Sequence, residues 1–177
     1  MDFEKYTDRS RGFIQAAQSL ALRENHQKLT SEHILKVLLD DPEGLASGLI
    51  TKAGGQPKSA LLGTELALGK ITQVTGSGAG QLSITPELAR LFDGAQKLAD
   101  KAGDSFVTAE RLLLALVLEP ESGTGKILKE AGVTASNLNS AINDIRKGRT
   151  ADSAGAEANY DALNKYARDL TEAARAG

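Results

Sequence analysis

Thr30-Ser31-Glu32-His33-Ile34-Leu35-Lys36-Val37-Leu38-Leu39 is followed 78 residues later by Thr108-Ala109-Glu110-Arg111-Leu112-Leu113-Leu114-Ala115-Leu116-Val117, and the recurrence decides the fold. Each stretch opens on a threonine, whose hydroxyl accepts an unpaired amide of a helix's first turn. Each then buries a stripe at helical spacing: Ile34, Leu35, Leu38 and Leu39, or Leu112, Leu113, Leu116 and Val117. Pro42 and Pro120 stop both helices, because proline lacks an amide hydrogen and clashes with the preceding turn. The same offset lays Thr7–Gly54 over Thr85–Gly132 without a gap, identical at thirteen of 48 positions. Chance at ordinary amino-acid usage gives roughly one match in twelve.

Outward from this pair the pattern predicts four helices per unit. Thr7 and Thr85 cap a first helix whose stripe is Ile14, Ala17 and Ala21, or Phe92, Ala95 and Ala99. Pro86 sits at the first helical position, where its missing amide costs nothing. A third helix carries Leu49-Ile50 or Ile127-Leu128 and ends at Gly54 or Gly132, residues suited to a left-handed cap. Pro57–Lys70 and Thr134–Lys147 read as fourth helices. Thr75–Gln81 reads as a flexible loop, and Leu82-Ser83-Ile84 as the one short extended segment.

The predicted fold class is therefore all-α: a pseudo-twofold duplication of a four-helix unit, about eight helices, then a flexible linker and one further helix. The domain spans 1–146, with repeats at about 7–70 and 85–146. Residues 147–159 hold no large apolar side chain and read as a mobile linker. Residues 160–177 regain helical periodicity through Leu163, Tyr166 and Leu170.

Composition narrows the function. The chain has 177 residues, 21 Lys+Arg against 23 Asp+Glu, two histidines and no cysteine. That length supports a core without metal or disulfide. The absence of cysteine excludes thiol chemistry and cysteine-bound zinc and fits a reducing compartment. A formal charge of -2 argues against nucleic acid as a partner. Apolar runs such as Leu112–Leu118 fall far short of the ~20 residues that span a bilayer, so no membrane partner is expected. Met1-Asp2-Phe3-Glu4 has no signal-peptide pattern, and a cytoplasmic location is expected. Glu121–Ile127 imitates the end of a phosphate-binding loop, but Pro120 and Ile127 stand where glycine and a hydroxyl are required.

The paired Thr…Ala…Leu-Ala helix followed by Thr-x-Glu-(His/Arg)-(Ile/Leu)-Leu-x-x-Leu resembles the double-repeat Clp N domain of AAA+ unfoldases. The tail, Tyr160-Asp161-Ala162-Leu163 and Lys165-Tyr166-Ala167-Arg168-Asp169-Leu170-Thr171, resembles the segment before the first ATPase module in the family's disaggregase branch. The resemblance covers about Thr7 to Gly177 and implies the N-terminal part of a longer protein. It implies a non-catalytic domain that engages unfolded or aggregated polypeptide, with no cofactor of its own. ATP and Mg belong to the parent's ATPase modules. The implied parent is a homohexamer acting with an Hsp70-type chaperone system, while the isolated piece is a monomer. The alternative is an adaptor-docking domain of the family's protease-associated branch.

Candidate site residues follow. Glu32 and Glu110 suit helix starts on dipole grounds alone. By resemblance the matching pair in protease-associated relatives receives a modified arginine's guanidinium. Thr7, Asp104 and Glu110 match residues that in disaggregase relatives share one surface and affect substrate handling. By position alone, Thr7 is a cap, Asp104 a turn residue and Glu110 a helix-end charge. Phe13, Leu91, Phe92 and Phe106 are candidates to line a hydrophobic groove where the halves meet, or to be core. Gly94 and Arg111 would make that groove less apolar. His26 and His33 lack a third ligand, and His33 reads as solvent-facing.

Overall fold

The structure is a computed structural model that describes residues 3–76, 80–119 and 123–157. Among these the elements run α1 (Asp8–Arg23), β1 (Lys28–Leu29), α2 (Ser31–Leu39), α3 (Leu45–Lys52), α4 (Pro57–Gly69), β2 (Ser83–Ile84), α5 (Pro86–Lys101), α6 (Ala109–Leu118), α7 (Gly123–Glu130) and α8 (Ala135–Arg146). The expected helix over 160–177 lies outside the described residues, as do 77–79 of the loop and Pro120.

The local signals act as their chemistry requires. The hydroxyls of Thr7, Thr30, Thr85 and Thr108 accept from the backbone amides of Ser10, His33, Leu88 and Arg111, closing the first turns of α1, α2, α5 and α6. Behind those caps the stripes are buried: Ile14, Ala17 and Ala21 on α1, with Phe92, Ala95 and Ala99 on α5. The central helices α2 and α6 bury Leu35, Leu38, Leu113 and Leu116 almost completely. Gly54 and Gly132 take φ of 92° and 90°. The amide after each returns to the helix, Gly55 to Ile50 at 2.8 Å and Val133 to Leu128 at 2.9 Å. Both copies therefore end their third helix by the same left-handed motif.

The twofold relation shows in the pairing. Beside the expected extended segment at Ser83–Ile84 runs a second, Lys28–Leu29, which the sequence pattern does not mark; the two are parallel, with Leu29 opposite Ile84. Tyr6 and Val107 form a parallel bridge. A shift of 78 residues carries Leu29 onto Val107 and Tyr6 onto Ile84, so one contact is made twice with the halves exchanging roles. The Thr7 amide correspondingly donates to Val107 at 3.0 Å, and the Thr85 amide to Leu29 at 3.2 Å. The helices are exchanged likewise: α3 packs on α8, α4 on α7, α1 on α6 and α2 on α5. Two residues are too few for strand periodicity to register, which is why β1 escapes a sequence reading.

The seam between the halves is tight at Gly55. A Cβ there would stand 2.8 Å from Val133 Cγ2 and 2.9 Å from the Ala131 carbonyl oxygen. Gly55→Ala is expected to destabilise the fold by about 1–3 kcal/mol, the usual penalty of overpacking. Gly94, inside α5, meets nothing within 4 Å. Gly94→Ala should instead add about 0.5–1 kcal/mol by restricting the unfolded chain. Urea midpoints of the two variants should move in opposite directions.

The segment expected to be a free linker from 147 departs from that expectation over its described part. Lys147 and Gly148 are left-handed, at φ of 52° and 82°, and turn the chain back after α8. Residues 149–157 then lie against the domain, with Ala151 and Ala156 buried beside Phe106. Their anchors are backbone hydrogen bonds and one buried carboxylate, neither of which leaves an apolar signature in sequence.

Candidate functional site

The guanidinium of Arg146, at the end of α8, organises the second repeat. It donates from Nε to Glu110 at 2.8 Å, from Nη1 to Asp104 at 2.6 Å and from Nη2 to the Thr108 hydroxyl at 2.8 Å. Arg111 Nε reaches the other Asp104 oxygen at 3.3 Å. All four ionic groups are buried. Burial alone would lower the pKa of Arg146, but Glu110 and Asp104 outweigh it and hold the pKa above its usual value.

The first repeat carries different chemistry at the same places. Asp104 and Arg111 correspond under the 78-residue shift to His26 and His33, which also touch, Nδ1 to Nε2 at 2.8 Å. Both histidines are buried, His33 completely. The solvent-facing reading of His33 is therefore corrected. It fills the third position of a capping box with Thr30, its ring accepting from the Thr30 amide at 3.0 Å. Burial, and then the neighbouring His26, push its pKa down to about 4. An unfolded histidine binds its proton near pH 6.5, whereas the folded ring refuses it until about 4. Stability contributed by neutral His33 is thus present above pH 6.5 and lost as pH falls toward 4. From pH 7 to pH 5 the urea midpoint of the unaltered chain should fall relative to that of His33→Gln, which lacks this group.

Three of the sequence-derived site residues do come together. The Thr7 hydroxyl donates to the carboxylate of Glu157. The Ala109 amide, at the head of α6, lies 3.4 Å from both Glu157 oxygens. Glu110 follows, bound through Arg146 to Asp104. Burial, and then the charge of Glu110, push the Glu157 carboxyl up to about 8, against the opposing pull of Thr7, Arg9 and the Ala109 amide. Glu157 and Arg146 were not singled out in the sequence, since both act only through partners far away in the chain.

Glu32 stands apart from this cluster. It is half-buried in the first turn of α2, its carboxylate against Gly123 at the start of α7, where any side chain would collide with it. The apolar candidates divide. Leu91 and Phe92 are core, Phe92 edge-on to Phe3 at 5.2 Å and to Tyr6 at 6.1 Å. Phe106 is half-covered by the 149–157 segment. Phe13 is half-buried beside a surface hollow of about 780 Å³ lined also by Gly12, Ala16, Val37 and Pro42. Arg9, Arg23, Asp40, Asp41 and Glu43 rim that hollow. Arg9 joins it to the cluster, pairing with Glu43 at 3.2 Å and lying 3.9 Å from Glu157. Among the described residues no group of three or more His, Cys, Asp or Glu side chains is placed to hold a metal. No described helix is long and apolar enough to cross a membrane.

Two exchanged helical units, with a histidine pair behind the first copy's helix start and buried ion pairs behind the second's, form a duplicated helical-repeat module. The chain belongs to the Clp repeat (R) N-terminal domain family, whose model matches residues 5–131. It is 65% identical to the chaperone protein ClpB of Rhodopseudomonas palustris over all 177 residues, which make up 20% of that protein. The chain thus spans about a fifth of the curated relatives it matches. Its fold is that of the Hsp104 N-terminal domain from Candida albicans, with a TM-score of 0.73 at 22% identity, covering 85% of this chain and 97% of that one. A complex of the ClpV N-domain with a VipB peptide matches with a TM-score of 0.65 at 21% identity, covering 85% and 92%.

Proposed function

We propose that this chain is the polypeptide-engaging N domain of a ClpB-type disaggregase, catching exposed apolar segments of unfolded or aggregated protein. Identity of 65% to a ClpB chaperone along the whole chain carries this reading. It also favours a disaggregase over the adaptor-docking domain of a ClpC- or ClpA-type unfoldase. The hollow around Phe13 supplies the means: its apolar lining residues attract unfolded chains without regard to sequence, and the charges of both signs beside them tolerate varied flanks. The ClpV N-domain, of the same fold, forms a complex with a peptide.

The rest of the parent protein belongs to the same proposal. Modules that bind ATP and Mg assemble as a cytoplasmic homohexamer working with an Hsp70-type system, and this domain alone is a monomer. Six tethered copies near one pore let weak individual affinity suffice, because tethering raises effective concentration. Phe13 makes the open apolar contact, with Phe106 half-buried nearby and Thr7, Asp104 and Glu110 buried beneath residues 149–157. Leu91 and Phe92 support it from the core, and Glu32 remains the first repeat's polar anchor.

Fluorescent α-casein, an unfolded protein, tests the reading by titration with the 177-residue chain. Saturable binding is expected, weakened about fivefold by Phe13→Ala, which is ~1 kcal/mol. An unchanged signal up to about 1 mM chain, ~4 kcal/mol of affinity, overturns it.

A further inference from the structure

The segment 149–157 is bound to the domain as a ligand peptide would be. At its start the Arg149 guanidinium donates to the carbonyls of Arg146 at 2.8 Å and Ile145 at 2.9 Å, and from Ala151 to Ala154 its hydrogen bonds to the domain are made by main chain. The Ala151 amide donates to Asp104 Oδ1 at 3.0 Å, and the Ala151 carbonyl accepts from the amides of Ser105 at 2.9 Å and Phe106 at 3.1 Å. The Ala154 carbonyl accepts from the Asp8 amide, at the head of α1, at 2.8 Å. One side chain completes the grip: the Glu157 carboxylate faces the Thr7 hydroxyl and the Ala109 amide. Between these anchors the residues are small, Ala151-Asp152-Ser153-Ala154-Gly155-Ala156. The Ala151 and Ala156 methyls are buried beside Phe106, so this grip reads backbone, two small side chains that fit a confined site, and one acidic group. Thr7, Asp104 and Glu110 are all buried with the segment in place.

We propose that residues 149–157 are the displaceable resident of a peptide-binding cleft, and that an incoming polypeptide that adopts the same turn takes its backbone contacts when it engages the domain. The cleft runs from Phe106 past Asp104 and Thr7 to Arg9, where it opens into the Phe13 hollow. The ligand it fits is a stretch of small residues that turns, as Ser153–Ala156 do, and carries a carboxylate six positions after the residue on Asp104. A client lying in the hollow therefore meets a cleft that its own main chain could fill, once the resident leaves. The inference rests on the polypeptide-binding reading and adds where and against what the client competes.

The charge around Glu157 is consistent with a resident that leaves. Arg9 from α1 attracts its carboxylate, while Glu110 from α6, already held by Arg146, repels it. Its pKa is higher docked, about 8, than when free, near 4.5. Docking is therefore favoured below pH 4.5 and weakens as pH rises toward 8.

Two single variants of the 177-residue chain test the competition. Ala151→Pro removes the amide that binds Asp104, and Glu157→Ala removes the carboxylate. Amide exchange at Ser105 and Phe106 reports whether the segment has left, and exchange in α2 and α6 reports that the fold is intact. With the segment released, affinity for α-casein is expected to rise about three- to tenfold, because the competent cleft is no longer mostly occupied. A synthetic peptide of residues 149–157, added at about 1 mM to the unaltered chain, should weaken casein binding severalfold, and this arm needs no variant to fold. Casein affinity unchanged by segment release, or unaffected by the peptide, overturns the inference and leaves the functional reading standing. Failure of casein to bind any form overturns both.

Discussion

Arg146→Met is expected to destabilise the domain by about 3–5 kcal/mol at neutral pH, the range seen when one member of a buried ion pair is removed. The guanidinium holds Asp104, Glu110 and the Thr108 hydroxyl at once. Asp104 would keep Arg111, but Glu110 would be left buried, with its charge uncompensated and Glu157 beside it. A small domain has only about 5–15 kcal/mol of total stability, so the urea midpoint should fall by a large fraction. Glu110→Gln in the same chain removes the stranded charge, and the double variant should recover part of the loss. A double variant no more stable than Arg146→Met would show that the arginine acts by packing its stem alone.

Leu35→Ala and Leu113→Ala should each cost about 2–5 kcal/mol, the sum of lost transfer energy and an unfilled cavity. The two leucines are related by the repeat and are both essentially inaccessible, at 0% and 1%. They lie on helices that pack against each other at the centre of the molecule. Melting temperatures should drop by roughly 4–20 °C in each, at ~2–4 °C per kcal/mol for a chain of this size. Similar losses at the two sites are the expected signature of the duplication. A loss in one and near-neutrality in the other would mean that only one half holds the core.

The parts of this molecule that could be read from its residues are those specified by near neighbours. Thr30 caps because His33 is three residues away, and Gly54 ends α3 because its own φ permits it. Repetition made such signals stronger, since each helix was announced twice. What escaped reading depends on distant partners. His33 and Arg111 look like surface residues at a helix start until His26 and Asp104 are folded over them. Leu91 and Phe92 lie on the correct stripe, but a stripe does not say whether it meets a core or a groove. Residues 149–157 carried no apolar pattern at all, and their docking is written in Thr7, Asp8, Asp104 and Phe106, more than forty positions away. Of the candidate site, the polar cluster was nameable from the repeat and the resemblance, whereas its occupant was not.

The exchanged pairing at Leu29–Ile84 and Tyr6–Val107 has a consequence for how the chain comes apart. Each half borrows its short ladder from the other, so neither is a self-sufficient folding unit. Melting one repeat strips the other of its partner, and the two must be lost in a single cooperative event. By the same logic the connection between them serves as a tether: two polypeptides severed within residues 75–81 should still find each other and rebuild the whole.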